Sequence, residues 1–447
     1  MSWRKKIICL SILFAFVAAH TGFGPGKQNW GYSEVRPKAF IFWWLHRAQN
    51  TVPIPEHYGD RPLILWLQGG PGGSSSGFGN FEEIGPLDRT LKPRQHAWVK
   101  DYNVLFVDSP VGSGFSYVED RSMLARNSTT VVADLLQLLK DFYSTTGWDE
   151  RIPLYIASES YGGRIAVELA YALVQENRMG TMECKIAGLF LGSAWISPLD
   201  SIAAWPDFLL ATGHLDRTGH ERISQRVASI RENMTQNQPG LAMSGWHALQ
   251  QTVIRETGGI NCYNILQPTR KEESPMGGES DEVLEYGETF WWTDTDTGPP
   301  MSGKSRSLEQ LMRGLVQQTL GIEDKPAWGS QSSAVFDALS DDFLQASVRT
   351  VERLLNETTV ELVLYNGQLD LITCTSGTFA WVDRLFEGID PPHREPLVGE
   401  GAIIEGYRSE YTPRFTVYTV LRAGHMVPAD NPSAVAQILR EHSRGLP

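Results

Sequence analysis

Ser160 lies where an apolar run meets a tight turn, in Leu154-Tyr155-Ile156-Ala157-Ser158-Glu159-Ser160-Tyr161-Gly162-Gly163. A strand that ends in a sharp turn and leads into a helix is the layout of a nucleophile elbow, which lifts a serine hydroxyl above a sheet edge. The first glycine of the G-x-S-x-G pattern is Ser158 here. A serine hydroxyl is a weak nucleophile until a base, a group that orients the base, and donors for the developing oxyanion surround it. The chain offers a candidate for each. Asp370 follows the β-rich run Leu362-Val363-Leu364-Tyr365-Asn366-Gly367. His425 follows Phe415-Thr416-Val417-Tyr418-Thr419-Val420 and sits between Gly424 and Met426. A buried-strand run, Leu63-Ile64-Leu65-Trp66-Leu67, leads into Gln68-Gly69-Gly70-Pro71-Gly72-Gly73-Ser74-Ser75. Glycines let backbone N–H groups approach a substrate oxygen closely. The expected oxyanion donors are the N–H groups of Gly70 and Tyr161, from this loop and from the residue after the nucleophile. A phosphate cradle is excluded, because no Gly-Lys-Ser/Thr follows the glycines.

The elements that must position these groups follow from the pattern. Strand-like runs fall at Ala39–Leu45, Leu63–Leu67, Val104–Asp108, Leu154–Ala157, Ala187–Leu191, Glu361–Tyr365 and Phe415–Val420. Helical stretches at Thr129–Tyr143 and Arg164–Gln175 lie between some of them. Alternating strands and helices predict an α/β fold with a mostly parallel central sheet flanked by helices. The order Ser160, Asp370, His425, with each residue at a strand exit, is the order of an α/β-hydrolase triad. Residues 201–345 show little strand signal. Glu221–Met234, Leu241–Thr257, Ser307–Leu320 and Ser333–Leu355 read as helices, the last running out of this region. The expected organisation is a leader at 1–19, a core in two parts at 20–200 and 346–447, and a helical cap insertion at 201–345 over the active site.

The motifs Gln68-Gly69-Gly70-Pro71-Gly72-Gly73-Ser74-Ser75, Asp108-Ser109-Pro110-Val111-Gly112-Ser113-Gly114-Phe115-Ser116-Tyr117, Glu159-Ser160-Tyr161-Gly162-Gly163, Asn366-Gly367-Gln368-Leu369-Asp370 and Gly424-His425-Met426-Val427-Pro428 resemble the serine carboxypeptidase family. The resemblance runs from about Trp30 to the C-terminus and includes Phe81-Glu82-Glu83-Ile84-Gly85-Pro86. It implies an acyl-enzyme peptide hydrolase that acts on peptide or protein C-termini. It also implies that Gln68 and Glu159, helped by Glu83 and Trp66, bind the substrate's terminal carboxylate. Two anions would face each other there, so Glu159 is expected to be protonated, which favours activity at acidic pH. The sequence departs from the family pattern at Gln68, where Asn is usual, at Gly73, where Cys begins a disulfide, and at Gln368, where an acid is usual. These departures leave a weakly catalytic peptide- or protein-binding role, or acyl transfer to another acceptor, as alternative readings.

Composition narrows the partners. A net charge of −13 over 447 residues argues against a nucleic-acid surface, which would need clustered Lys and Arg. Arg4-Lys5-Lys6, the apolar run Ile7–Phe16 and the small residues Val17-Ala18-Ala19 read as a signal peptide, too short to span a membrane stably. No other stretch reads as a membrane span. Sequons at Asn127, Asn233 and Asn356 would then carry glycans, on the way to secretion or a lysosome. Cys184, Cys262 and Cys374 remain after leader removal, so at least one must stay unpaired within the chain. No Cys/His spacing suggests a metal site, and no cofactor is expected. The acidic stretch 279–300 reads as a solvated loop, with Phe290-Trp291-Trp292 either packed on the core or lining a substrate path.

Overall fold

The computed structural model describes residues 22–52, 60–267, 307–390 and 392–443. The expected signal peptide, the acidic stretch and Phe290-Trp291-Trp292 lie outside these residues. Eleven strands form one sheet: β1 (Gln28–Arg36), β2 (Ala39–His46), β3 (Leu63–Leu67), β4 (Asn103–Val107), β5 (Tyr117–Val118), β6 (Leu154–Glu159), β7 (Ile186–Gly192), β8 (Glu361–Gly367), β9 (Arg394–Val398), β10 (Ile404–Thr412) and β11 (Phe415–Val420). Their order is β1-β2-β4-β3-β6-β7-β8-β11-β10-β9, with β5 paired to β2. The stretch from β4 to β11 is parallel throughout. Both margins are antiparallel.

The parallel strands bury both faces, as their continuous apolar runs require. On β3, Leu63, Leu65 and Leu67 enter one core with Leu135, Leu138, Leu139 and Phe142 of the helix Ser128–Thr146. Ile64 and Trp66 enter the opposite core with Phe81, Ile84 and the C-terminal helix residues Val435, Ile438 and Leu439. The two-residue period of a strand thus assigns alternate side chains to the two helical layers. All seven predicted strands form, with ends shifted by a residue or two.

Among the described residues, the chain between β7 and β8 contains no strand. The helices Arg217–Thr235 and Pro239–Thr257 pack here, and Trp246 of the second meets Trp195, Trp205 and Phe343 at ring distances of 5.6, 5.3 and 5.6 Å. The single helix expected over Ser333–Leu355 is instead three pieces: Ser333–Ala338, Ser340–Phe343 and Val348–Glu357. The breaks turn Asp342 inward, where its Oδ2 lies 3.2 Å from Arg164 Nε and accepts from Tyr161 Oη at 2.8 Å. A buried ion pair has overridden a local helical preference. Ser307–Leu320 is helical but carries a π-helical turn at Met312–Val316.

Cys184, Cys262 and Cys374 are all buried and unpaired. Among the described residues, no helix is long and apolar enough to cross a membrane. The sequon residues Asn127 and Asn356 are exposed, and Asn233 is half-buried. Asn127 Oδ1 caps the helix Ser128–Thr146 by accepting from Thr130 N–H at 2.9 Å.

Candidate active site

Ser160 stands between β6 and the helix Tyr161–Met179 with φ +56° and ψ −127°. A non-glycine residue with such angles is strained and persists only where its surroundings hold it. Ser160 N–H donates to Gly192 O at 3.1 Å, and Ser160 O accepts from Trp195 N–H at 2.8 Å. The helix behind it must come close. A Cβ on Gly162 would lie 2.4 Å from Leu67 O, and one on Gly163 would lie 2.4 Å from Ala194 Cβ. Ser158, in place of the usual glycine, is fully buried on β6, and its Oγ has no hydrogen-bond partner.

Asp370 and His425 leave neighbouring parallel strands, β8 and β11, on the same sheet edge as Ser160. His425 Nδ1 lies 2.8 Å from Asp370 Oδ2, with both side chains buried. An ionised carboxylate only accepts, so Nδ1 carries the hydrogen and Nε2 keeps its lone pair for a proton. Asp370 also accepts from Thr373 Oγ1 at 2.5 Å and Thr373 N–H at 3.3 Å, which fixes its plane. The two loops are stitched to each other. Leu369 N–H donates to Ala423 O at 2.8 Å, and Arg422 N–H donates to Gln368 Oε1 at 3.3 Å. Gln368, which departs from the family's acid, therefore serves as a neutral acceptor for the histidine loop.

The segment Cys262–Ile265 of the insertion ties these loops again. Leu371 N–H donates to Cys262 O at 3.0 Å, His425 N–H to Tyr263 O at 2.6 Å, and Ile265 N–H to Leu369 O at 3.0 Å. The Tyr263 ring stands edge-on to the His425 ring at 5.3 Å. Asp430 Oδ2 receives both Gly424 N–H at 2.7 Å and Asn264 Nδ2 at 2.9 Å. Sequence reading missed Tyr263, Asn264 and Asp430, because no strand or glycine pattern marks them.

The glycine-rich loop leaves β3 and passes against the elbow. A Cβ on Gly69 would lie 2.5 Å from Ser160 Cβ. Gly70 has φ +113°, in the range that favours glycine. Asp108, at the end of β4, anchors the loop's far side. It accepts from Ser76 N–H at 2.8 Å, Ser76 Oγ at 2.7 Å, Ser74 Oγ at 3.1 Å and Phe115 N–H at 2.8 Å. A carboxyl directly after the apolar run Val104–Val107 was the available signal for this anchor.

Gln68, Glu83, Glu159 and Trp66 come together as the resemblance implied. Trp66 Nε1 donates to Gln68 Oε1 at 2.8 Å, which turns Gln68 Nε2 toward both carboxyls at 3.0 Å each. Glu83 arrives on the π-helical segment Ser75–Ile84. Both carboxyls are buried. Burial, then the charge of Glu83 and a hydrogen bond to it, hold Glu159 well above the ordinary carboxyl range. Burial also raises Glu83, against hydrogen bonds from Glu159 and Gln68 that lower it. Burial favours the protonated form of each carboxyl, and Glu83 Oε2 and Glu159 Oε2 are both buried without a hydrogen-bond partner.

Residues 20–445 match the family described as serine carboxypeptidase. The chain is 36% identical to retinoid-inducible serine carboxypeptidase of Rattus norvegicus over 454 residues, covering 98% of this chain and 96% of that protein. It is 34% identical to serine carboxypeptidase-like 51 of Arabidopsis thaliana over 429 residues, covering 93% and 92%. Among solved structures it resembles Kex1(delta)p, a prohormone-processing carboxypeptidase from Saccharomyces cerevisiae, with a TM-score of 0.76 at 20% identity over 93% of this chain and 91% of that one. That likeness establishes the α/β-hydrolase fold.

Proposed function

Because the chain belongs to the serine carboxypeptidase family, and is thus a serine-type peptide hydrolase, we infer that Ser160, His425 and Asp370 are its catalytic triad. The observation that carries this reading is the buried 2.8 Å contact between His425 and Asp370 on the sheet edge that also bears the strained Ser160. Ser160 Oγ attacks the scissile carbonyl while His425 Nε2 takes its proton. The carbonyl oxygen becomes an oxyanion, held by the N–H groups of Gly70 and Tyr161. As the C–N bond breaks, His425 returns the proton to the leaving amine, and an acyl-Ser160 ester remains. Water then attacks the ester with His425 again as base, which releases the shortened peptide and restores Ser160. Asp370 holds the imidazole tautomer and stabilises the imidazolium throughout.

The substrates are peptide and protein C-termini. Protonated Glu159 donates to the terminal carboxylate, assisted by Gln68 with Trp66 behind it, and the charge of Glu83 favours the proton on Glu159. Raising the pH through the elevated Glu159 titration puts an anion against the substrate's anion. Activity is therefore favoured at acidic pH. An acidic compartment reached through the secretory pathway suits this chemistry, and so do the basic-then-apolar residues 4–16 and the exposed sequon residues Asn127 and Asn356.

Labelling with a fluorophosphonate tests the triad. The wild type should form one covalent adduct, mapped by peptide mass spectrometry to Ser160. An active enzyme labelled elsewhere would remove the assignment.

A further inference from the structure

The segment Trp328–Ser332, at the far end of the insertion, runs beside the glycine-rich loop. Ser74 N–H donates to Ser330 O at 3.1 Å, and Ser332 N–H donates to Gly72 O at 3.1 Å. Gly73 and Gln331 form an isolated antiparallel bridge between them. Gln331 Nε2 donates to Pro71 O at 2.7 Å. A carbonyl only accepts, so this bond fixes which end of the amide faces Pro71. Gln331 Oε1 is then left buried without a partner. An orphaned buried acceptor is unfavourable, so the seat of this side chain over the loop has to outweigh that loss.

Three glycines make room for the amide. A Cβ on Gly70 would stand 3.1 Å from Gln331 Nε2, one on Gly72 3.0 Å from the same atom, and one on Gly73 3.4 Å from Oε1. A loop so rich in glycine has many conformations open to it, and something outside must select one. Among the described residues, Gln331 is the one side chain that hydrogen-bonds to the backbone of residues 69–73.

We propose that Gln331 is a positioning residue of the oxyanion hole: its amide, bonded to Pro71 O within the hollow of Gly70, Gly72 and Gly73, sets the direction of the Gly70 N–H. This rests on the reading of Gly70 as an oxyanion donor. Gln331 itself touches no reacting atom.

The test compares Gln331→Ala and Gln331→Glu with the wild type on one peptide substrate from acidic to neutral pH. A donor aimed only at the transition state affects kcat and kcat/KM alike. Gln331→Ala should lower both by about ten- to hundredfold, the scale of a small misplacement, with KM changed less than about twofold. In Gln331→Glu a protonated carboxyl can still donate to Pro71 O, whereas an ionised one repels it. The ratio of mutant to wild-type kcat should therefore be near one at low pH and fall as pH rises, and the ratio cancels the pH dependence of the wild-type site. A wild-type kcat in Gln331→Ala, or a flat Gln331→Glu ratio, overturns the proposal while leaving the triad intact. If Gln331→Ala does not fold, the Gln331→Glu ratio decides. A wild type that neither hydrolyses peptide nor labels at Ser160 overturns the underlying reading, and this inference with it.

Discussion

Glu159 and Glu83 meet across a single amide: Gln68 Nε2 is 3.0 Å from an oxygen of each. Two buried carboxyls so placed cannot both ionise without a large electrostatic penalty. Free-acid peptides should therefore bind best while Glu159 is protonated, and KM should rise as pH climbs through its elevated titration. Glu159→Gln keeps a donor and cannot ionise, so its KM should stay nearly flat with pH. Any fall of kcat at low pH that the wild type shows should remain in the mutant. Steady-state kinetics across pH checks this. The wild-type rise of KM in the mutant would shift the recognition role to another group.

The same carboxyl should register in stability. Its folded titration lies above the unfolded value, so its contribution is fully present below the ordinary carboxyl range and is lost as pH rises through the folded value. Glu159→Gln should accordingly raise the thermal midpoint relative to wild type more at neutral pH than at pH about 4, below the unfolded carboxyl value of roughly 4.3. Equal shifts at both pH values would show that the carboxyl is not proton-linked to folding.

Asp342 pairs with Arg164 in the interior, with side-chain exposures of 10% and 6%. Removing Asp342 leaves the buried Arg164 with only the longer 3.6 Å contact to the half-buried Glu168 for compensation. Asp342→Ala should destabilise by about 3–5 kcal/mol, measured by urea unfolding at constant m-value. It also frees Tyr161 Oη beside the nucleophile, so kcat should fall in protein that remains folded. A change under about 1 kcal/mol, the range of a surface pair, would contradict the buried-pair account.

Much of this site was legible because each triad residue ends an apolar strand. β3, β6, β8 and β11 are marked by continuous hydrophobic runs, and the residues that follow them must lie on one sheet edge once the strands are parallel. The strands β1, β5, β9 and β10 were not legible. β1, β9 and β10 are antiparallel margins with half-exposed, polar sequences such as Arg394-Glu395-Pro396-Leu397-Val398, whose order comes from pairing rather than from an apolar run. Asp342 and Gln331 act through contacts some 180 and 260 residues away in sequence, and no local period signals such pairings. The three-part break in Ser333–Leu355 has the same origin, since an inward aspartate decided what helix propensity left open.

Processing gives an independent check on the route of the protein. Secreted material should begin near His20, and glycosidase treatment should lower its mass, with attachment at Asn127, Asn233 or Asn356. Intact-mass analysis that finds residues 1–19 retained and no glycan would exclude the secretory route.

The most direct measurement of the central claim is a time course of peptide trimming by mass spectrometry at acidic pH. One peptide is presented with a free C-terminal carboxylate and again as its C-terminal amide, to wild type and to Ser160→Ala. The account predicts stepwise loss of single C-terminal residues from the free acid, much slower loss from the amide, and a fall of about four or more orders of magnitude in Ser160→Ala. Internal cleavage, equal trimming of acid and amide, or undiminished trimming by folded Ser160→Ala would contradict it.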